Sequence, residues 1–364
     1  MTPLAARLAK RIARDGPLTV ADYMAAVLTD PEHGYYMRGD PFGAAGDFIT
    51  APEVSQMFGE LIGLWCVDTW ERLGSPAPFR LVELGPGRGT LMSDALRAAR
   101  LAPAFLDAAR LHLVEISPRL RALQAQRLAD APLAAEPTWH DHLGALPMGP
   151  MILIANEFFD ALPIRQFVKT DSGWCERMIT LAAGDAGLVF AATAPSPAVA
   201  ALIPAHLRDL PPGAVAELCL PGASLAADIG QRLAEAAGAA LIIDYGAAEA
   251  PGRPTLQALR GHARHDVLDA PGTADLTAHV DFTLLAATAR QAGAAVHGPV
   301  PQGEFLRALG IETRARTLLQ NAASAQAATV QADLRRLTRA DEMGTLFKAL
   351  AITTQTFASP AGFV

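Results

Sequence analysis

Three glycines at alternate positions, Gly85, Gly87 and Gly89, follow the apolar run Leu81-Val-Glu-Leu84 and precede a helical pattern that begins at Thr90. Glycine takes turn conformations closed to residues with a Cβ, and it lets a ligand approach the main chain directly. The helix expected over 90–100 turns its unpaired N–H groups toward an anionic part of that ligand. An acid, Glu83, stands two residues ahead of the first glycine. An ammonium wants such an acid and a pyrophosphate does not. The G-x-G-x-G spacing with Glu83 therefore suits S-adenosylmethionine better than a dinucleotide, whose loops usually read G-x-G-x-x-G. Gly-rich strand-to-helix turns also serve NAD, FAD and plain tight packing, and on the loop alone those alternatives stay open.

Further polar groups fall where neighbouring strands should end. His112-Leu-Val-Glu-Ile116 reads as a second strand whose acid lies 26 residues after Gly89. Glu115 at that tip can accept both hydroxyls of a ribose, with Ile116 beside it on the cofactor; the alternative is an acid that caps the helix opening at Ser117-Pro118. Trp139-His-Asp141 follows a weak third strand expected near Ala134, a place from which Asp141 reaches an adenine amino group. A fourth strand, 151–155, opens into Asn156-Glu-Phe-Phe-Asp160. Asn156 is assigned to the cofactor, while Glu157 and Asp160, flanked by aromatics, are candidates to hold a reacting nitrogen. The competing reading of these two acids is the solvated first turn of a helix. In Asp275-Leu-Thr-Ala-His-Val-Asp-Phe282, His279 and Asp281 are catalytic candidates, against a loop histidine and a helix cap.

These groups need a scaffold, and from residue 80 short β-like runs alternate with helices. The fold class is α/β: a Rossmann-like, mostly parallel sheet with a β-rich insertion and N- and C-terminal helical additions. The expected organisation is N-terminal helices and an active-site loop over 1–75, a cofactor-binding core over 76–165 and 222–300, the β insertion over 166–221, and C-terminal helices over 301–364. Residues 33–53 form a long loop with Tyr35, Tyr36, Phe42 and Phe48, a composition that argues for a functional lid. Asp47, Thr50 and Glu53 are its candidate substrate-facing groups. An apolar helix is expected over 54–70. Leu4, Leu8 and Ile12 recur at helical spacing, and Thr19-Val-Ala-Asp22 is a capping box.

Composition narrows the function. The 364 residues carry a net charge of −7 with only 18% charged side chains and no basic stripe, which disfavours nucleic acid and points to a locally basic protein partner. Cys66, Cys175 and Cys219 lie far apart, so neither a disulfide framework nor a metal site is expected. No apolar stretch is long enough for an ordinary membrane span, and the expected location is cytoplasmic. The Arg/Lys-rich residues 1–14 faintly suggest a transit peptide, but their helical spacing is the better reading. No G-x-S-x-G elbow or H-E-x-x-H motif is present.

Together the motifs resemble the MidA family, the mitochondrial complex I assembly-factor methyltransferases and their bacterial relatives. The resemblance rests on Gly34-Tyr-Tyr36, Gly46-Asp-Phe-Ile-Thr-Ala-Pro-Glu53, Glu83 to Gly89, Asn156 to Pro163, Ile243-Asp-Tyr-Gly246, Thr255-Leu-Gln257, Leu276 to Phe282, Gln302 to Leu306 and Met343 to Lys348. It implies a class I fold, S-adenosylmethionine as cofactor on Gly85, Gly87 and Gly89 with the ribose on Glu115, and methylation of an arginine. In the eukaryotic member this is symmetric dimethylation on a complex I subunit, in mitochondria. An NAD-dependent oxidoreductase, a non-catalytic assembly factor and a small-molecule methyltransferase are the rival readings.

Overall fold

A computed structural model describes residues 2–38, 50–185, 187–247, 252–320 and 322–363. Its strands, in chain order, are β1 (Leu18–Thr19), β2 (Phe79–Leu84), β3 (Ala109–Val114), β4 (Thr138–His140), β5 (Met151–Asn156), β6 (Arg165–Thr170), β7 (Gly173–Leu181), β8 (Leu188–Ala192), β9 (Val215–Leu218), β10 (Gly238–Tyr245), β11 (Gln257–Arg260), β12 (Ala263–His265), β13 (Asp275–Thr277), β14 (Ala295–Pro301) and β15 (Phe347–Thr353). The chain divides into two units: 1–48, 160–223 and 247–281 form one, and 49–159, 224–246 and 282–364 the other.

The second unit is built on a seven-stranded sheet of order β14-β15-β10-β5-β2-β3-β4. The pairs β10–β5, β5–β2, β2–β3 and β3–β4 are parallel, and β15 runs antiparallel to both its neighbours. Strands buried on both faces read as continuous apolar runs, as Met151-Ile-Leu-Ile-Ala155 and Ala239-Ala-Leu-Ile-Ile243 do. Leu81, Ile152, Ile154, Leu241 and Ile243 share a core with Phe58, Ile62 and Trp65 of the helix Gln56–Arg72. The chain steps outward from β2 through β3 to β4, then returns to place β5 on the other side of β2. That reversal makes a crevice at the carboxyl ends of β2 and β5, the usual ligand position in an open α/β sheet.

The first unit is antiparallel. One sheet runs β1-β7-β6-β9 with β8 also on β7, and a three-stranded sheet runs β12-β11-β13. Leu4, Leu8 and Ile12 of the helix Pro3–Asp15 pack with Tyr23, Ile179 and Leu276, and Thr19 caps the helix Val20–Thr29 by accepting from Asp22 N.

Several elements differ from expectation. No strand forms near Ala134; the third parallel strand is Thr138–His140, so Trp139 and His140 lie within it. Alanine suits a pleated surface less well than the Thr-Trp pair does. The second strand stops at Val114, leaving Glu115 and Ile116 in the turn. The helix expected over 54–70 is broken at Ser55, whose extended backbone caps Gln56–Arg72 and separates it from the short helix Ala51–Val54. Helices Gln302–Ala308, Ile311–Leu319 and Ser324–Thr338 occupy the C-terminal region, but beyond them Phe347–Thr353 is a strand of the sheet, between β14 and β10. Asp275–Thr277 is likewise a strand.

Candidate active site

The Gly-rich loop leaves β2 with Gly85, Gly87 and Gly89 all at positive φ, 60°, 53° and 77°. At Gly85 the demand is also steric, because a Cβ would stand 2.6 Å from Cδ2 of Phe158. The loop after β5 thus packs its first aromatic against the loop after β2. Gly89 opens the helix Thr90–Ala98. Glu53 sits at this helix start, accepting from the Thr90 hydroxyl and pairing with Arg88 Nη1 at 3.8 Å. Thr50, which is buried, precedes the helical turn Ala51–Val54 that carries Glu53. Asp47 lies outside the described residues.

The two acids near the tips of β2 and β3 differ. Glu83 is 3% exposed, its Oε2 has no hydrogen-bond partner among the described residues, and burial pushes its carboxyl up to about 8. Glu115 is also buried, and burial raises its pKa against the opposing pull of Ser117 N. Its Oε1 accepts from Ser117 N at 2.8 Å and its Oε2 from Gln124 Nε2 at 3.2 Å. Glu115 therefore holds the start of the next helix while still lying at the strand end. Ile116 beside it is exposed, and Asp141 is a largely exposed acid whose Oδ1 accepts from Arg121 Nη2 at 2.6 Å.

At the end of β5, Asn156 Nδ2 donates to Glu157 Oε1 at 3.0 Å, and Ala51 N donates to the same oxygen at 2.7 Å. Asn156 Oδ1 is buried with no partner among the described residues. Glu157 takes φ +49°, a left-handed conformation that costs a non-glycine residue of order 1–3 kcal/mol and marks a position held by its surroundings. No helix follows it, which removes the helix-turn reading of Glu157 and Asp160; the next regular element is β6.

Asp160, His279 and Asp281 belong to the other unit, and the chain passes from one unit to the other between Phe159 and Asp160. Asp160 is buried, and its carbonyl accepts from Ala278 N at 3.0 Å. His279 N donates to Thr255 Oγ1 at 2.9 Å, and burial lowers the imidazole pKa. Nearby in the same unit, the Tyr36 hydroxyl donates to Asp275 Oδ1 at 3.0 Å; burial first, then Asp275, raises the phenol pKa well above its ordinary value.

Two structural partners escaped the sequence reading. Gln124, fully buried, donates from Nε2 to Gly87 O at 2.8 Å and to Glu115, and accepts from Trp139 Nε1 at 2.8 Å. Its signal was a polar residue in the apolar series Leu120, Gln124, Leu128. Asp244, at the end of β10, accepts from Phe158 N at 3.1 Å and Phe159 N at 2.9 Å, anchoring the loop that covers Gly85.

A largely parallel sheet reversing direction beside a Gly-rich loop, with unsatisfied buried acceptors at that point, defines a class I methyltransferase-like nucleoside site. The residues fit S-adenosylmethionine: Glu83 offers a buried acceptor to an ammonium, and the glycines open the main chain to the ligand. Over residues 61–300 the chain matches the family described as "putative S-adenosyl-L-methionine-dependent methyltransferase". It is 40% identical over 377 residues to a Drosophila melanogaster protein named protein arginine methyltransferase NDUFAF7 homolog, mitochondrial, covering 96% of this chain and 84% of that one. The Homo sapiens protein arginine methyltransferase NDUFAF7, mitochondrial, is 39% identical over 341 residues, covering 88% and 76%. A crystal structure from Burkholderia thailandensis with S-adenosyl-homocysteine bound superposes with a TM-score of 0.86 at 31% identity, covering 99% of this chain and 93% of that one. The chain belongs to this S-adenosylmethionine-dependent, MidA-like methyltransferase family. Among the described residues no helix is long and apolar enough to cross a membrane.

Proposed function

We propose that this protein methylates a guanidinium nitrogen of an arginine in a protein partner. The observation that carries the reading is the 38–40% identity, over most of the chain, to relatives named protein arginine methyltransferases. The cofactor-side residues are Glu83, Gly85, Gly87, Gly89, Glu115, Ile116, Asp141 and Asn156. When bound, S-adenosylmethionine supplies a methyl group already activated on a sulfonium. What the chain must add is alignment of the attacking nitrogen with that methyl, an orientation effect worth roughly 7 kcal/mol or more in favourable cases. Glu157 and Asp160 hold the cationic guanidinium by charge-assisted hydrogen bonds, which localise its positive charge away from the attacking nitrogen. That nitrogen gains the methyl carbon and releases one proton. His279, whose imidazole pKa burial lowers, and Asp281 are the further catalytic candidates. Asp47, Thr50 and Glu53 are assigned to the substrate side.

The finer reading is symmetric dimethylation of a respiratory complex I subunit, carried out in the cytoplasm. It is tested by incubating the protein with methyl-labelled S-adenosylmethionine and extract from a strain lacking it, followed by peptide mass spectrometry. Label on arginine of a complex I subunit is the expected result. Label on another residue type or on a small molecule, or none, contradicts the proposal.

A further inference from the structure

Asp160, His279 and Asp281 share one unit with an acid that the proposed chemistry leaves unused, Glu217 on β9. The ladder between β11 and β13 ends at the pair Gln257 and Thr277. Carried one step further, the same register sets Thr255 opposite His279. The amides at this point are drawn elsewhere: Thr255 N and Leu256 N both donate to Glu217 Oε1, at 3.0 Å and 3.2 Å. The Thr255 side chain continues the pairing instead, and its Oγ1 accepts from His279 N at 2.9 Å.

The polarity of that contact is fixed. The Thr255 hydroxyl also bonds Glu217 Oε2. An ionised carboxylate only accepts, so the single hydroxyl proton points to Glu217 and the oxygen lone pairs are left for His279 N–H. Gln166, paired with Glu217 across β6 and β9 and 1% exposed, holds the acid from the neighbouring strand through Nε2 at 2.6 Å. One residue before His279, Ala278 N donates to Asp160 O at 3.0 Å. Two consecutive amides are thus tethered to different places, one to the main chain of Asp160 and the other, through Thr255, to Glu217. We propose that Thr255 and Glu217 are positioning residues for methyl transfer, which set the His279-Val-Asp281 segment in register with Asp160. They act through the His279 main chain rather than on substrate or cofactor. This positioning role rests on reading His279 and Asp281 as catalytic groups, since an error of about 1 Å in the placement of such groups costs on the order of a hundredfold in rate. If the network served the fold alone, the rate per folded molecule would not depend on it.

The test gives the full chain saturating methyl-labelled S-adenosylmethionine, with protein extract from a strain lacking the chain as acceptor, and reads the initial rate per folded molecule. Thr255→Val keeps the shape of the side chain and removes both bonds of its hydroxyl. It should slow transfer about tenfold or more, while S-adenosylhomocysteine affinity by calorimetry stays within about twofold. Thr255→Ser returns the hydroxyl and should return the rate. By amide hydrogen exchange, His279 N–H should lose protection in Thr255→Val and regain it in Thr255→Ser. Glu217→Gln places an amide nitrogen where one acceptor oxygen stood and should behave like Thr255→Val; where it does not fold, the threonine pair carries the comparison. His279→Ala and Asp281→Ala separate the two layers of the reading. If either is slow while folded Thr255→Val transfers at the native rate, the positioning role alone is overturned. It is also overturned if serine fails to rescue the valine variant. Native rates in both His279→Ala and Asp281→Ala overturn the catalytic reading and the positioning role with it.

Discussion

Two carboxylates, one in each unit, are treated in opposite ways. Glu217 on β9 accepts from Gln166 Nε2 at 2.6 Å, from Thr255 N at 3.0 Å, from Leu256 N at 3.2 Å and from the Thr255 hydroxyl. Thr255 Oγ1 in turn accepts from His279 N, so this acid organises the backbone that carries a catalytic candidate. Glu83 is more deeply buried, yet one of its oxygens has no donor among the described residues. A satisfied acid of this kind serves the fold, whereas an unsatisfied one costs stability that only a ligand can return. The contrast separates a region built to hold its shape from one built to receive a molecule.

The largest expected effect lies on the satisfied side. Glu217→Ala strands several donors at once and should remove about 3 kcal/mol of stability, read by urea unfolding of the cofactor-free protein. An unchanged midpoint would erase the distinction. Gly85→Ala should follow, because the added Cβ meets the Phe158 ring at 2.6 Å on a backbone at φ +60°. Strain of about 1–3 kcal/mol is expected, together with more than tenfold weaker S-adenosylhomocysteine binding by calorimetry.

A pH series sharpens the other side. With its carboxyl at about 8, folded Glu83 holds a proton more readily than it does in the unfolded chain. Between the ordinary carboxylate range and about pH 8, the stability of the cofactor-free protein should therefore fall as pH rises. In Glu83→Gln that slope should be shallower. An ammonium requires the ionised acid, so cofactor affinity should climb with pH to about 8 and then level off, with a proton released on binding below that point. A flat affinity profile in titrations across this range would count against Glu83 as the ammonium's partner. The smallest effect is expected at Asp141, whose ion pair with Arg121 is solvent-exposed: Asp141→Asn should change stability by less than about 1 kcal/mol in thermal melts.

The cofactor end was legible because its demands are local. Positive φ at three glycines, an acid two residues before them, and acids or amides at successive strand ends all leave marks in short stretches of sequence. What stayed hidden depends on partners far along the chain. Gln124 looked like one polar residue on a helix until Gly87, Glu115 and Trp139 converged on it. Phe347-Lys-Ala-Leu-Ala-Ile-Thr353 is a short apolar run that periodicity alone cannot distinguish from a helix, and only pairing with β10 and β14 makes it a strand. Asp244 was visible as an acid closing a buried strand, but its hold on Phe158 and Phe159 was not. Asp160, His279 and Asp281 were singled out from motif position alone, whereas the Glu217–Thr255 network behind His279 left no local signal.

The most direct test sets the two acids side by side, measuring S-adenosylhomocysteine affinity by calorimetry for Glu83→Gln and Glu217→Gln at pH 8. The account predicts a loss of about tenfold or more for Glu83→Gln with its fold intact, and near-native affinity in whatever fraction of Glu217→Gln remains folded. Native affinity in Glu83→Gln, or a selective loss of affinity in folded Glu217→Gln, would contradict it.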